Sequence, residues 1–168
     1  MNPNDAISVF SKTLGSMDGW LTKAEAHAGE KKFDIAVLLA ARLAPDQYPL
    51  VTQFQAACDT AKYAAAKLAG VEPPSHPDTE STVEQLRARV RSVREYLSGF
   101  SAEQFSGFEE RRCAQQWMRG KWMRGADYLL QVSHPQFYFH ASHAYAILRH
   151  NGVPLGILDY LAPLSFQG

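Results

Sequence analysis

The sequence lacks the features of several common classes of protein, beginning with cysteine. Only 2 of its 168 residues are cysteines, and Cys58 and Cys113 stand far apart, outside any CxxC pair or zinc-finger spacing of Cys and His. We therefore expect no disulfide framework. Two reduced and mostly buried thiols are typical of a cytoplasmic protein.

The sequence also has no excess of charge of either sign. Lysine and arginine number 17, aspartate and glutamate number 17, and the formal net charge is zero. A neutral chain creates no long-range field that would attract nucleic acid or an anionic membrane. Arg87, Arg91 and Arg94 share one predicted helix face, but Glu84 and Glu95 interrupt it. We interpret this face as a solvated surface and expect no nucleic-acid partner.

Long apolar runs and glycine-rich loops are missing as well. No run approaches the roughly 18 apolar residues that span a bilayer, and the first residues show no basic segment followed by an apolar core. No phosphate-binding glycine loop or dinucleotide fingerprint is present. We expect a cytoplasmic protein that has no membrane partner and does not use the common nucleotide cofactors.

What the sequence does contain is helical periodicity. Apolar residues recur at spacings of three or four from Asp5 to about Ala28, where Gly29 offers a left-handed stop. A shorter apolar segment, residues 35–40, favours a short helix because it is rich in alanine. Pro45 and Gly70 bracket an alanine-rich stretch that predicts a long helix over residues 46–69.

A third long helix and two irregular segments follow. Ser81 and Glu84 have the spacing of a capping box, and apolar residues continue at helical period up to Gly99. The three prolines of residues 71–78 predict a stiff, extended crossing before this helix. Residues 106–125 break the pattern, and Gly120 between two short stretches suggests a small hairpin.

The stretch from His134 to Gly156 predicts the central helix of the fold. Pro135 suits a first helical turn, whereas Gly152 and Pro154 end the helix after about four turns. Three consecutive aromatic residues, Phe137-Tyr138-Phe139, cover more than half of the circumference of a helix. We therefore expect neighbours to cover this helix on several sides.

His140 and His143, one turn apart on this helix, are the candidates for chemistry. A zinc site needs three or four donors at about 2.0–2.3 Å, and these histidines supply at most two. Gln55, Asp59 or Gln136 would have to add an oxygen, or Cys58 a sulfur. The alternative is a buried His140 that is hydrogen-bonded to Asp59 or to a backbone carbonyl, where a His–Asp pair can act as a general base.

A nucleophile for such a base is harder to find. Cys58 would qualify only if its thiolate were stabilised, and on an alanine-rich helix a cysteine is more often a small, inert hydrophobic residue. Trp117 and Trp122 either cover the core or form a surface for a partner. The residues leave both questions open.

Several stretches together resemble a bacterial family known only as domain of unknown function 1993. They are Leu43-Ala44-Pro45-Asp46 through Pro49-Leu50, Ala57-Cys58-Asp59 through Val71-Glu72-Pro73, and Phe137-Tyr138-Phe139-His140 through Leu148-Arg149-His150-Asn151-Gly152-Val153-Pro154-Leu155-Gly156. The resemblance covers nearly the whole chain. It implies the fold of the DinB-like (DinB/YfiT-like) four-helix bundles, a superfamily in which many members bind a divalent metal through three histidines.

The metal pattern of that superfamily matches this chain only at His140. Gln136 stands one turn earlier, where a second histidine is expected. The second long helix, which should supply the third, offers only Gln53, Gln55, Asp59 and Thr60 near the corresponding position. Near the end of the chain, residues 156–161 also lack the basic residues expected after the glycine. A zinc or nickel site, if one exists, is therefore expected to be degenerate, with His140 as its ligand.

We predict a single all-α domain over residues 1–168, a DinB-like four-helix bundle with a short extra helix and a small irregular or hairpin insert around 106–125. The first functional hypothesis is a small-molecule pocket between the second long helix and the last one, with His140 and Asp59 as the catalytic candidates. Its predicted lining is His140, His143, Gln136, Gln55, Asp59, Phe137 and Tyr145. The alternative is a non-catalytic homodimeric interaction module that uses the aromatic last helix as its interface. We expect a homodimer under both hypotheses.

Overall fold

Four long helical segments form the body of the computed structural model, which describes residues 1–161 and 163–167. They are α1 (Pro3–Lys31), α3 (Leu50–Ala69), α4 (Val83–Ser98) and α6 (His134–His150), with α2 (Ala36–Ala40) as the short extra helix. Helix α3 packs against α1, α4 and α6, and α1 also contacts α4 and α6. The predicted all-α bundle is confirmed.

The ends of the first helices differ in detail from the prediction. Helix α1 continues through Gly29 and ends where Lys32 adopts the left-handed conformation, at φ 58°. Helix α3 begins at Leu50, not at Asp46. Pro49 precedes it, and a proline disfavours the helical conformation in the residue before it, here Tyr48. Gly70, at φ 73°, ends α3 as predicted.

The capping box of α4 lies one residue later than predicted. Thr82 Oγ1 accepts from the backbone N–H of Gln85 at 3.2 Å, and Gln85 Oε1 accepts from the N–H of Thr82 at 3.2 Å. Ser81 and Glu84 are therefore not the reciprocal pair. Both choices start the helix at the same turn, because either pair satisfies backbone donors that lack a partner inside the helix.

The insert contains the predicted hairpin. Strands β1 (Arg112–Cys113) and β2 (Met123–Arg124) pair antiparallel, with Arg112 opposite Arg124. Three 3-10 turns accompany it, at Ala102–Phe105, Phe108–Glu110 and Gln116–Met118. Cys113 and Cys58 are both buried and unbridged.

The last long helix starts earlier than Pro135. Helix α5 (Gly125–Tyr128) runs through a π-helical turn (Leu129–Ser133) directly into α6. Pro135 has no N–H and its ring would collide with the carbonyl four residues earlier. The widened π turn directly before it accommodates both constraints. A four-residue helix, α7 (Ile157–Tyr160), follows.

Helix α6 is covered on fewer sides than we expected. Phe137 is fully buried, Tyr138 is half-buried, and Phe139 is 53 % exposed. Coverage on several sides is therefore found only in part: α1 and α3 both pack against α6, but the ring of Phe139 stays in contact with solvent. None of the helices in the described part of the chain is long and apolar enough to cross a membrane.

Gly125 gives a direct test of how tightly the hairpin packs on the bundle. A Cβ atom at Gly125 would overlap the carbonyl oxygen of Phe108 and approach Leu68 Cδ2 to 3.3 Å. We expect Gly125→Ala to lower the free energy of unfolding by about 3 kcal/mol. Gly19, exposed on α1 with open space around it, is the control, and Gly19→Ala should raise that free energy by about 1 kcal/mol. Urea unfolding followed by circular dichroism measures both, and a neutral Gly125→Ala would contradict the predicted overlap.

Candidate functional site

The contact between α3 and α6, the most extensive helix pair of the fold, positions His140. The side chain is 7 % exposed, and its Nδ1 lies 2.8 Å from Oε1 of Gln53 on α3. The hydrogen-bond partner of His140 is therefore Gln53. The sequence had suggested Asp59 or a backbone carbonyl for this role. Gln53 lies on the buried face of α3, so α3 packing fixes where this bond forms.

The hydrogen bonds of Gln53 also fix the tautomer of His140. Gln53 Nε2 donates to the backbone carbonyl of Tyr48 at 3.3 Å, which leaves Oε1 as the atom that faces the imidazole. An amide oxygen only accepts, so Nδ1 of His140 carries the proton. The lone pair of the neutral ring is consequently on Nε2, and within the described residues the His140 ring is hydrogen-bonded through Nδ1 alone.

Burial keeps His140 uncharged. Removal from water, with a smaller contribution from nearby His143, lowers the pKa of His140 to about 4. The ring is therefore neutral at pH 7. A group with so low a pKa is a weak base at neutral pH, so Nε2 suits hydrogen-bond acceptance better than proton abstraction.

His140 lines a cleft of about 260 Å³ beside α3 and α6. Of the predicted pocket residues, the cleft brings together His140, Gln136, Gln55 and Asp59. The other side chains at its wall were not predicted from the sequence, among them Tyr48, Thr52, Thr60, Tyr63, Asp78 and Gln115. Tyr48 precedes α3, and Asp78 belongs to the proline-rich crossing, so the fold alone brings them to this place.

Three predicted pocket residues lie elsewhere. Phe137 stacks on Phe10 of α1, with ring centroids 4.3 Å apart. Tyr145 packs edge-on against Trp20 at 5.7 Å. His143 is half-buried, and its Nδ1 is bonded to the carbonyl of Phe139 in its own helix at 2.7 Å. Phe137 and Tyr145 belong to the core around α1, on a different side of α6 from the cleft.

A group of buried charged side chains beside the cleft was not predicted from the sequence. Arg89 on α4 is 3 % exposed. Its guanidinium donates to Asp59 at 2.8 Å and to Glu80 at 3.0 Å, and it forms an ion pair with Asp78 at 2.9 Å. The arginines that we assigned to a solvated face are not all solvated either, because Arg87 is 16 % exposed and pairs with Asp18 and Glu25 on α1. The available signal was spacing, because Arg89 stands three residues after Leu86 and four before Val93, both on the apolar face.

Lys62 extends this group of buried charges. Its side chain is 1 % exposed, and its Nζ forms an ion pair with Asp59 Oδ1 at 2.8 Å. Its Nζ also lies 3.2 Å from Nδ1 of His76. Since an ammonium only donates, Nδ1 of His76 is unprotonated, and burial and Lys62 lower the pKa of His76. Asp59 is thus the counter-ion of two buried cations.

Cys58 does not have the properties of a nucleophile. Complete burial raises the pKa of its thiol to about 12, so the thiolate is essentially absent at neutral pH. Reactive cysteines have lowered pKa values and are partly accessible. The interpretation of Cys58 as an inert hydrophobic residue fits this environment.

Comparison with known proteins identifies the family. The model of the family described as domain of unknown function (DUF1993) matches residues 4–161. The chain belongs to DUF1993. A similar solved structure is the crystal structure of a DinB family member protein from Shewanella denitrificans at 1.83 Å resolution. It is 42 % identical, superposes with a TM-score of 0.93, and the match covers 96 % of this chain and 92 % of that one. No curated protein matches the chain.

The DUF1993 chain does not reproduce the three-histidine metal site implied by its likeness to DinB-like bundles. Within residues 1–161 and 163–167, no group of three His, Cys, Asp or Glu side chains is placed to hold a metal ion. Around His140 the neighbouring donors are the amides of Gln53 and Gln136, and Oδ1 of Asp59 is bonded to Lys62 and Arg89. The residues present do not fit the metal.

The neutral His140 makes the stability of the fold depend on pH. The ordinary pKa of 6.5 applies to the unfolded chain, whereas the folded pKa is about 4. The unfolded chain therefore binds a proton first, and stability that is complete above pH 6.5 is lost as the pH falls toward 4. At about 1.4 kcal/mol per pKa unit, this loss is at most about 3 kcal/mol.

We expect His140→Gln to lose less stability than the wild type between pH 7 and pH 4.5, because glutamine does not titrate and can still donate to Gln53. Urea unfolding at the two pH values measures the difference. His150→Gln, at an exposed position near the end of α6, is the matched control and should lose as much as the wild type. Equal losses for all three proteins would contradict a depressed pKa at His140.

Proposed function

We propose that this DUF1993 protein binds a small molecule in the cleft beside α3 and α6, with Nε2 of His140 as a hydrogen-bond acceptor for the ligand. One observation carries the proposal. The bond to Gln53 places the proton on Nδ1, and the low pKa keeps the ring neutral. Nε2 has no donor among the described residues and is not one of their fully buried unpaired atoms, so it stays accessible as an acceptor for water or a ligand.

The shape and chemistry of the cleft support the same proposal. A volume of about 260 Å³ has room for about nine water-sized groups. The wall combines two tyrosine rings with amide, hydroxyl and carboxylate groups, and convergent polar groups beside aromatic walls are typical of small-molecule sites. Two buried thiols fit a reducing compartment, so we also propose that this binding takes place in the cytoplasm.

A library of fragments with up to nine non-hydrogen atoms and mixed charge tests the proposal by NMR. We expect at least one fragment to shift the His140 ring signals more than those of His143. Ala56→Trp should abolish the shift, since Ala56 lines the cleft and a tryptophan there fills it. Ala88→Trp, at an exposed position on α4, should leave it intact. If no fragment perturbs His140, or if Ala56→Trp binds like the wild type, the proposal fails.

A second candidate function is the homodimeric interaction module, favoured by an apolar groove on the other side of Gln136. The groove is lined by Trp117, Gln131, Val132, Pro135, Gln136 and Phe139. Trp117 is 58 % exposed and does not cover the core. We propose a second copy of the chain as the occupant, because a formal net charge of zero gives two copies no long-range repulsion.

Sedimentation velocity at micromolar concentration tests the dimer. We expect the wild type to sediment as a dimer and Phe139→Ser to sediment as a monomer, because the exposed ring of Phe139 would lie at the interface. Val37→Ser is the control, since Val37 is 59 % exposed on α2, away from the groove, and should remain dimeric. A monomeric wild type would overturn this candidate without affecting the cleft.

A further inference from the structure

The charges at the cleft are of one sign. Two carboxylates, Asp59 and Asp78, line it, and no lysine or arginine does. The cations Arg89 and Lys62 lie behind Asp59, on the side of α4 and the proline-rich crossing. A ligand that enters the cleft therefore meets carboxylate oxygens and not cationic groups.

Asp59 keeps one oxygen unused. Arg89 donates to Oδ1 at 2.8 Å, and Lys62 forms an ion pair with the same oxygen at 2.8 Å. Oδ2 receives no hydrogen bond from the described residues, and the Asp59 side chain is 25 % exposed at the cleft. The ion pairs at Oδ1 hold the carboxylate in place, and Oδ2 can accept a hydrogen bond from a ligand.

The whole charged group carries a net negative charge. It contains three carboxylates, Asp59, Asp78 and Glu80, and two cations, Arg89 and Lys62. His76 adds no charge, because its Nδ1 faces the ammonium of Lys62. One negative charge is left over beside the cleft, and a bound cation would balance it.

Nε2 of His140 is the second and independent acceptor. The side chain is only 7 % exposed and lines the same cleft as Asp59 and Asp78. Its Nδ1–H already donates a hydrogen bond to Gln53. The ring can only accept at the remaining nitrogen. Between Nε2 and the carboxylates, the cleft offers acceptors to a ligand that brings several N–H donors on one charged atom.

We propose that the cleft takes a small ligand carrying a protonated amine, whose N–H groups donate to His140 Nε2 and to the free oxygen of Asp59. The rings of Tyr48 and Tyr63 flank the cleft and supply surface for the apolar body of such a ligand. A carboxylate or phosphate ester of the same size is disfavoured, since it would meet Asp59 and Asp78. This inference rests on the proposed function and names its ligand class.

Three matched probes test the ligand class on the full chain at pH 7: benzylamine, benzyl alcohol and benzoate, which differ mainly in charge. NMR titration gives the dissociation constant of each from the His140 ring signals. We expect benzylamine to bind at least ten-fold more tightly than benzyl alcohol, and benzoate to leave His140 unshifted. Asp78→Asn should weaken benzylamine several-fold and leave benzyl alcohol unchanged. Asp78 is 60 % exposed, so this variant tests charge with little risk to folding.

Glu84→Gln is the control for Asp78→Asn. Glu84 is 76 % exposed on α4 and does not line the cleft, so its removal should leave the affinity for benzylamine unchanged. If benzyl alcohol or benzoate shifts His140 as strongly as benzylamine, the amine proposal is overturned while the cleft remains a binding site. If none of the three shifts His140, the amine proposal is also overturned, and the fragment screen decides separately whether the cleft binds anything.

Discussion

A buried guanidinium constrains the half of the fold that carries the cleft. Arg89 is 3 % exposed, and leaving such a charge without partners costs about 3–5 kcal/mol. Its three carboxylate partners come from α3 and from the crossing between α3 and α4. The pairing of this one charge therefore holds the segment between α3 and α4 against the bundle, and it orients the Asp59 side chain.

This arrangement separates Asp59 from His140. An aspartate that neutralises Arg89 and Lys62 is not available as the carboxylate of a His–Asp pair, and His140 bonds to the neutral amide of Gln53. A neutral amide offers the charged form of histidine no ion pair, so burial dominates and lowers the pKa of His140. The same pairing uses Oδ1 of Asp59 and leaves Oδ2 without a hydrogen bond from the described residues. The charge balance of the buried group thus decides the chemistry that a ligand would meet.

Family membership establishes the fold of this protein, whereas the side chains around His140 decide the chemistry of the site. The DUF1993 match and the DinB family structure establish the fold, but a fold supports many sites. In this chain Gln136 stands one turn before His140, and the side chain on α3 that bonds to His140 is Gln53. Amides in these places favour a neutral hydrogen-bonding site over a metal centre, since zinc prefers imidazole, thiolate and carboxylate donors.

The sequence by itself determined the helices and their order, because apolar spacing, proline and glycine act over a few residues: Gly70, Gly99 and the turn at residues 81–85 end or begin helices within one residue of the prediction. It also singled out His140, Gln136, Gln55 and Asp59, which meet at one cleft. Only the tertiary structure decided that Gln53 is the partner of His140, that Arg89 and Lys62 are buried, and that Phe139 remains exposed. These outcomes depend on which helix faces meet, and on distant segments such as the proline-rich crossing, and neither is encoded in local periodicity.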